Sequence, residues 1–314
     1  MPVVGGDSGV TTGTSSRRRF LKWGLSATAV VVAGGAAGVE LVAHGVLPGQ
    51  HLLYVIDGAC SVALPPESFD PEGSTYLGSF FSQARNTRVG YTLAYPPGHD
   101  KGSELPLVVY LHGWGGNHLS SYGGLTLARA LALRSATGEH LPMAMICADG
   151  GRGYWHAHPG DDPMSMLVDE LIPLCRRLGL GSSPQKIGMT GISMGGYGAI
   201  LVAEKHPELV SAVAAISPAV WTTWPQAHNA NPTAYTSAAD FAANNVVAHT
   251  SALAGIGVRV ASGVLDPFHP GVEALVHALP HGAVVDFSKG CHTGPFFAAQ
   301  VPPSLGYLSR HLIS

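Results

Sequence analysis

Charged residues are scarce in this chain of 314 residues. Asp, Glu, Lys and Arg together make up 12% of it, roughly half of what globular chains usually carry. The net charge is −3, and no long block of one sign occurs. The basic surface of a nucleic-acid-binding protein is therefore missing, and we expect no nucleic-acid partner.

Cysteine is also sparse, and the four cysteines show no spacing that is typical of metal ligands. Cys147 falls in an apolar strand and Cys175 in a helix, so both are predicted to be core residues. Cys60 and Cys291 lie in loop-like sequence and could pair outside the cytoplasm. The sequence does not show whether their backbones come close enough, so this pairing stays open.

The N-terminus carries a targeting pattern. Residues 16–22 read Ser-Arg-Arg-Arg-Phe-Leu-Lys, which fits the twin-arginine export pattern, and an apolar run follows over residues 23–39. Its 17 residues are at the short end of what spans a bilayer. We expect residues 1–45 to be a twin-arginine signal or, if uncleaved, an N-terminal membrane anchor, which is the only membrane contact expected. The protein is therefore predicted to act outside the cytoplasm, in the cell envelope or secreted.

After a linker rich in Pro, Gly and Ser over residues 46–74, strand and helix signals alternate through a domain at 75–314. Strands are predicted at 76–81, 88–94, 107–111, 143–148, 186–190, 210–216, 257–262 and 283–287, and helices at 120–135, 163–178, 196–206 and 296–312. The first two strands are expected to be antiparallel. The alternation predicts an α/β fold with a mostly parallel sheet and helices on both faces. Functional residues then gather where strands end, and an insertion at about 218–250 interrupts the rhythm.

Residues 191–195 read Gly-Ile-Ser-Met-Gly, which fits the G-x-S-x-G turn between a strand and a helix. Ser193 is the predicted nucleophile. The glycines have a steric reason, because side chains two residues from the serine would collide with the neighbouring strand and helix. The alternative is a glycine-rich turn with a capping serine.

A nucleophilic serine needs a base and a group that orients the base. Asp266 and His292 each follow a predicted strand, and the chain order serine, acid, histidine is the one this turn requires. Four other residues are less suitable as the acid or the base. Asp286 lies inside a strand and Asp240 in the insertion, whereas His281 lies at the wrong end of its strand and His269 in an expected surface turn. The alternatives are a turn-forming role for Asp266 before Pro267 and a helix-capping role for His292.

Negative charge that develops on a substrate oxygen needs fixed donors. We expect the backbone N–H of Met194, directly after the nucleophile, to be one of them. The second is the N–H of Trp114, in the loop at residues 112–116 that follows a buried strand. The alternative for this loop is a plain glycine-rich turn with an exposed tryptophan.

Residues 153–162 are predicted to lie near the rim of the site, and the insertion to form a lid or acyl-binding wall. The alternative is that its tryptophans pack into the core. The expected substrate contacts are His112, Tyr154, Trp155, His156, Trp221 and Trp224. A metal-dependent hydrolase is the rival class, because His156 and His158 precede Asp161 and Asp162. The pattern H-x-H-x-D-H fails at residues 160 and 161, so no metal and no cofactor are expected.

These motifs resemble the Putative esterase branch of the α/β-hydrolase superfamily, which includes esterase D, feruloyl esterases and the antigen 85 mycolyltransferases. The resemblance covers roughly residues 75–314. It implies an α/β-hydrolase fold, a triad of Ser193, Asp266 and His292, and an oxyanion hole at Trp114 and Met194.

The function that follows is an exported serine esterase, which cleaves a small-molecule or lipid ester through an acyl-enzyme. An acyltransferase of the antigen 85 type is an alternative. A non-catalytic, cell-wall-associated protein on the same scaffold is another.

Overall fold

Ten strands form two sheets in the computed structural model, which describes residues 54, 58–64, 68–134, 142–182 and 186–312. The strands are β1 Ser68–Phe69, β2 Thr75–Ser82, β3 Thr87–Ala94, β4 Leu107–Leu111, β5 Leu133–Arg134, β6 Ala144–Ala148, β7 Ile187–Ile192, β8 Val210–Ile216, β9 Gly257–Gly263 and β10 Val284–Ser288. The large sheet has the order β10-β9-β8-β7-β4-β6-β3-β2. The strands from β10 to β6 are parallel, whereas β3 runs antiparallel to both β6 and β2. The mostly parallel sheet and its antiparallel first pair are thus confirmed.

Seven helices and one 3₁₀ turn occur within the described residues. They are α1 Leu127–Leu131, α2 (α-helical Pro163–Ser165, π-helical Met166–Leu171, α-helical Ile172–Arg177), α3 Met194–Lys205, α4 Trp224–Ala230, α5 Ala238–Ala243, the 3₁₀ turn Thr250–Leu253, α6 His269–Ala278 and α7 Gly294–His311. The insertion predicted at 218–250 therefore contains two short helices, α4 and α5. No helix within the described ranges is long and apolar enough to cross a membrane.

The sheet has an apolar core on each face. Successive side chains of a strand point to opposite faces. In β4, Val109 belongs to the core that contains α3, whereas Val108 and Tyr110 belong to the core that contains α7. All five residues of β4 are buried, which explains the unbroken apolar run from which this strand was predicted.

The structure differs from the sequence prediction around residues 120–135. Within residues 120–134, only Leu127–Leu131 is helical, because Gly123 and Gly124 adopt left-handed φ angles of 62° and 91° that a helix cannot contain. Gly123 also packs closely, since a Cβ at this position would lie 2.5 Å from Val301. The short strands β1 and β5 pair with each other, so the predicted linker contributes a strand.

The chain divides into two units, Met1–Asp57 and Gly58–Ser314. The predicted export signal at residues 1–45 lies outside the described residues. The unit Gly58–Ser314 contains both sheets and every residue of the candidate site.

Candidate active site

Ser193 lies in a sharp turn between the end of β7 and the start of α3. Its φ and ψ angles are 59° and −120°, a combination that costs a non-glycine residue about 1–3 kcal/mol. Its N–H donates to the Ile216 carbonyl at 3.0 Å, and its own carbonyl accepts from the N–H groups of Tyr197 and Ala219. The backbone is therefore held in the strained form from both sides, and the side chain lies at the tip of the turn.

The two glycines of the motif are required by packing. A Cβ at Gly191 would lie 2.2 Å from the carbonyl of Gly195, and a Cβ at Gly195 would lie 1.8 Å from the Leu111 carbonyl oxygen. Real side chains never approach backbone atoms so closely. The turn can thus form only with glycine at both positions, for the steric reason inferred from the sequence.

The structure brings Ser193, His292 and Asp266 together. The Oγ of Ser193 lies 2.9 Å from Nε2 of His292, and Nδ1 of His292 lies 2.8 Å from Oδ2 of Asp266. The Asp266 side chain is buried, and its Oδ1 accepts the N–H of Phe268 at 2.9 Å. The three side chains come from the ends of β7, β9 and β10, so the distances meet the geometric requirement for an activated serine.

The positions predicted for the oxyanion donors lie beside the serine. Met194 is the first residue of α3, whose N-terminal N–H groups have no partner within the helix. Gly113 approaches the serine from the other loop, since a Cβ built on it would lie 3.7 Å from the Ser193 Cβ. Trp114 follows Gly113, and its ring is exposed with the Arg152 guanidinium 4.8 Å above it. The donor roles of the Trp114 and Met194 N–H groups stay a prediction.

His112 is fully buried, whereas the sequence prediction of a substrate contact required an accessible ring. Its Nδ1 donates to the Gly113 carbonyl at 2.8 Å, and its Nε2 accepts the Gly150 N–H at 3.0 Å. This pairing requires a neutral ring, and burial lowers the pKa of His112 accordingly. His112 therefore fixes the loop that carries Trp114 to the loop after β6.

Tyr154, Trp155 and His156 are also buried rather than at the rim. Trp155 fills a space left by two glycines, since a Cβ at Gly150 or Gly198 would lie within 2.5 Å of its ring. Its Nε1 donates to the His112 carbonyl at 3.3 Å. The predicted position of these three residues at the rim is therefore corrected, because their side chains pack in the interior.

Both ring nitrogens of His156 face backbone carbonyls. Its Nε2 lies 2.8 Å from the Ala234 oxygen and its Nδ1 3.2 Å from the Ala157 oxygen. Nε2 of His158 faces the Gly153 oxygen at 2.8 Å. Within the described ranges, no group of three or more His, Cys, Asp or Glu side chains is arranged to hold a metal ion.

Trp221 is linked to the triad histidine through one intervening ring, that of Phe268. Its ring centroid lies 5.6 Å from that of Phe268, which in turn lies 5.1 Å from the His292 ring. Trp221 also lines a cavity of about 610 Å³ with Pro267 and with residues of α4 and α6. Trp224 packs instead against His228 and Phe241, so the insertion has one tryptophan beside the cavity and one against its own helices.

Sequence reasoning missed two aromatic neighbours of the triad histidine. Phe268 and Phe297 each place a ring centroid 5.1 Å from that of His292. Phe268 follows Asp266 by two residues, and Phe297 lies in the first turn of α7, five residues after His292. This closeness in sequence to the acid and the base is what could have indicated that the two rings lie near the site. Together they limit the directions in which the imidazole can rotate.

Residues 82–267, more than half of the chain, match the Putative esterase family. The chain belongs to this family. As a Putative esterase, it is an enzyme of the carboxylesterase type. The match includes Ser193 and Asp266 and ends before His292.

Solved structures show the same fold at low sequence identity. A ferulic acid esterase is 18% identical with a TM-score of 0.64, over 76% of this chain and 98% of that one. An S-formylglutathione hydrolase from Agrobacterium tumefaciens is 17% identical with a TM-score of 0.60, over 80% and 100%. Mycobacterium tuberculosis MPT51 (FbpC1) is 18% identical with a TM-score of 0.57, over 79% and 99%. The search of curated proteins found no match. The likeness to these solved structures establishes the α/β-hydrolase fold and does not identify the substrate.

One disulfide lies directly beside the triad. Cys60 and Cys291 are bonded, with Cα atoms 5.1 Å apart. The sequence left this pairing open. Cys147 and Cys175 are free and buried, as predicted for core cysteines.

Proposed function

We propose that this Putative esterase family member is an exported serine esterase, which cleaves carboxylic esters of small molecules or lipids through an acyl-enzyme. The observation that carries the proposal is the continuous hydrogen-bonded chain from Ser193 through His292 to Asp266. A serine hydroxyl becomes a useful nucleophile only when a base accepts its proton as it attacks. His292 Nε2 is at the distance for that transfer.

The mechanism follows from the orientation of the imidazole. Nδ1–H of His292 donates to Asp266, which leaves Nε2 free to accept the Ser193 proton during attack on the ester carbonyl. The oxyanion of the tetrahedral intermediate is stabilised by the N–H groups of Trp114 and Met194. The imidazolium then protonates the leaving alcohol, and water attacks the acyl-enzyme by the same steps in reverse.

Replacement of the nucleophile tests this function. Ser193→Ala should lower turnover of a short-chain p-nitrophenyl ester by about 10⁴-fold or more, because the acyl-enzyme can no longer form. Ser262→Ala is the matched control. The Oγ of Ser262 also lies beside a histidine, 3.2 Å from Nδ1 of His269, but the residue is fully buried and cannot reach a substrate. If the Ser193→Ala variant retains near-normal rates, the assignment is wrong.

Covalent labelling separates an enzyme from a non-catalytic scaffold protein. A fluorophosphonate should modify Ser193 in the wild type and fail to modify the Ser193→Ala variant. An unlabelled wild type would favour the non-catalytic alternative. Esters with a series of acyl chain lengths are then assayed with and without trehalose as acceptor. A free acid as product indicates hydrolysis, and an acylated trehalose indicates acyl transfer.

Export rests on the sequence of residues 16–22 and is supported by the disulfide, because such bonds persist in oxidising compartments. Replacement of Arg17 and Arg18 by lysine should retain the protein in the cytoplasm, as measured by fractionation. Export that continues unchanged in this variant would refute the twin-arginine route.

A further inference from the structure

The loop that carries His292 lies at the edge of the sheet. It connects β10, the outermost strand, to α7. Two backbone hydrogen bonds join this region to the acid loop: Val264 N–H donates to the Ser288 carbonyl, and Leu265 N–H donates to the Gly290 carbonyl, both at 3.0 Å. The strand that leads into the loop has exposed apolar side chains at Val284, Val285 and Phe287. His292 therefore has sheet support from β9 alone.

The disulfide supplies a second attachment at this point. Cys291 immediately precedes His292, is fully buried, and is bonded to Cys60 across a sequence separation of 231 residues. Among residues 58–64, all of which the structure describes, Cys60 is the buried one, while Leu64 is half-exposed. The buried residue of this segment is thus the cysteine that is bonded to the histidine loop. Both cysteines lie outside the residues that match the family.

We propose that Cys60 is a positioning residue for catalysis: through its bond to Cys291, it holds the His292 imidazole in line between Asp266 and Ser193. The inference rests on the proposed esterase function. The imidazole must keep contacts of 2.8 Å and 2.9 Å at its two nitrogens at the same time. A misplacement of roughly 1 Å in such an arrangement can cost about 100-fold in rate.

A positioning role differs from a purely structural one in what it predicts. A bond that closes a loop of this length stabilises the fold through the entropy of the unfolded chain. Such an effect changes the unfolding midpoint but leaves kcat unchanged at temperatures where the protein is fully folded. A positioning role instead lowers kcat in the fully folded protein and leaves KM nearly unchanged, because both cysteines are buried and offer no surface to a substrate.

The test compares Cys60→Ser with Ser61→Ala, a control on the neighbouring exposed residue whose hydroxyl bonds only to the Gly58 carbonyl within the segment. Both variants and the oxidised wild type are assayed well below their unfolding midpoints for kcat, KM and the rate of fluorophosphonate labelling. The low-field proton resonance of the His292–Asp266 hydrogen bond reports alignment without turnover. We expect Cys60→Ser to lose about 10- to 100-fold in kcat and in labelling rate, with a weakened resonance, and Ser61→Ala to match the wild type.

Reduction of the folded wild type provides a measurement that needs no variant to fold. A phosphine reductant should produce the same loss of kcat while the near-ultraviolet circular dichroism stays constant, and should not affect Cys60→Ser further. Unchanged kcat in the reduced protein, or a loss of kcat that follows the loss of circular dichroism, overturns the proposal. So does a count of four free thiols in the oxidised wild type after unfolding. If the wild type has no serine-dependent turnover, the proposed function fails, and the proton resonance in oxidised and reduced protein still decides the positioning role.

Discussion

Glu204, in the nucleophile helix α3, provides a prediction whose size can be worked out. The residue is 6% exposed, and neither of its carboxylate oxygens has a hydrogen-bond partner within the described part of the chain. Burial raises the pKa of Glu204 to about 8, because the charged form loses its hydration without compensation. We therefore expect the folded protein to keep a proton on this side chain at neutral pH.

The consequence for stability has a definite sign. The unfolded chain releases the Glu204 proton near the ordinary glutamate pKa of about 4.3, whereas the folded chain retains it to about pH 8. The stabilisation is thus present below the unfolded pKa and is lost as the pH rises through the folded pKa. At 1.36 kcal/mol for each unit of pKa difference, the loss between pH 5 and pH 9 amounts to roughly 4 kcal/mol.

The substitution Glu204→Gln removes this titration while it keeps the shape of the side chain. Urea unfolding of both proteins at pH 5 and pH 9 measures the difference. We expect the variant to gain roughly 4 kcal/mol in unfolding free energy relative to the wild type between the two pH values. Glu104→Gln is the matched control, because the Glu104 side chain is exposed and its replacement should give a nearly flat difference. An equal effect of Glu204→Gln at both pH values would refute the reasoning.

Three further predictions concern the site. Asp266→Asn should lower kcat by about 10⁴-fold with a small change in KM, since an amide fails to fix the imidazole tautomer; a steady-state assay that shows less than a tenfold loss would contradict the role of the acid. Gly195→Ala should prevent formation of the native turn, because its Cβ would lie 1.8 Å from the Leu111 carbonyl oxygen, and native circular dichroism in this variant would be the opposing result. Trp221→Ala should raise KM for bulky esters more than for acetyl esters, because the ring lines the cavity of about 610 Å³; an equal change for both esters would remove the residue from the substrate path.

The sequence predicted the centre of the fold more accurately than its periphery. The residues of β4 and β8 were predicted to the residue because buried parallel strands are apolar throughout. The helix near Gly123 is shorter than predicted because Gly123 and Gly124 adopt left-handed φ angles, and the close packing of Gly123 against Val301, far along the chain, could not be read from the local pattern. The helix α6 was missed because His269, its first residue, was expected to lie in a surface turn.

The same distinction applies to the site. The proximity of Ser193, Asp266 and His292 could be predicted because their positions at strand ends follow from local patterns and chain order. His112 was misassigned because its position after β4 is the same whether the ring points outward or, as here, inward to the Gly150 N–H. Burial of Trp155 against Gly150 and Gly198 likewise depends on two glycines that are distant in sequence from each other.

The strained backbone of Ser193 presents the reactive hydroxyl and lowers the stability of the folded protein. Glycine adopts a φ of 59° without the penalty that a residue with a Cβ incurs. A chain with glycine at position 193 would therefore be harder to denature and could not form an acyl-enzyme. Random mutation followed by selection for heat resistance alone would be expected to recover this inert form, and only a simultaneous demand for turnover keeps the serine in place.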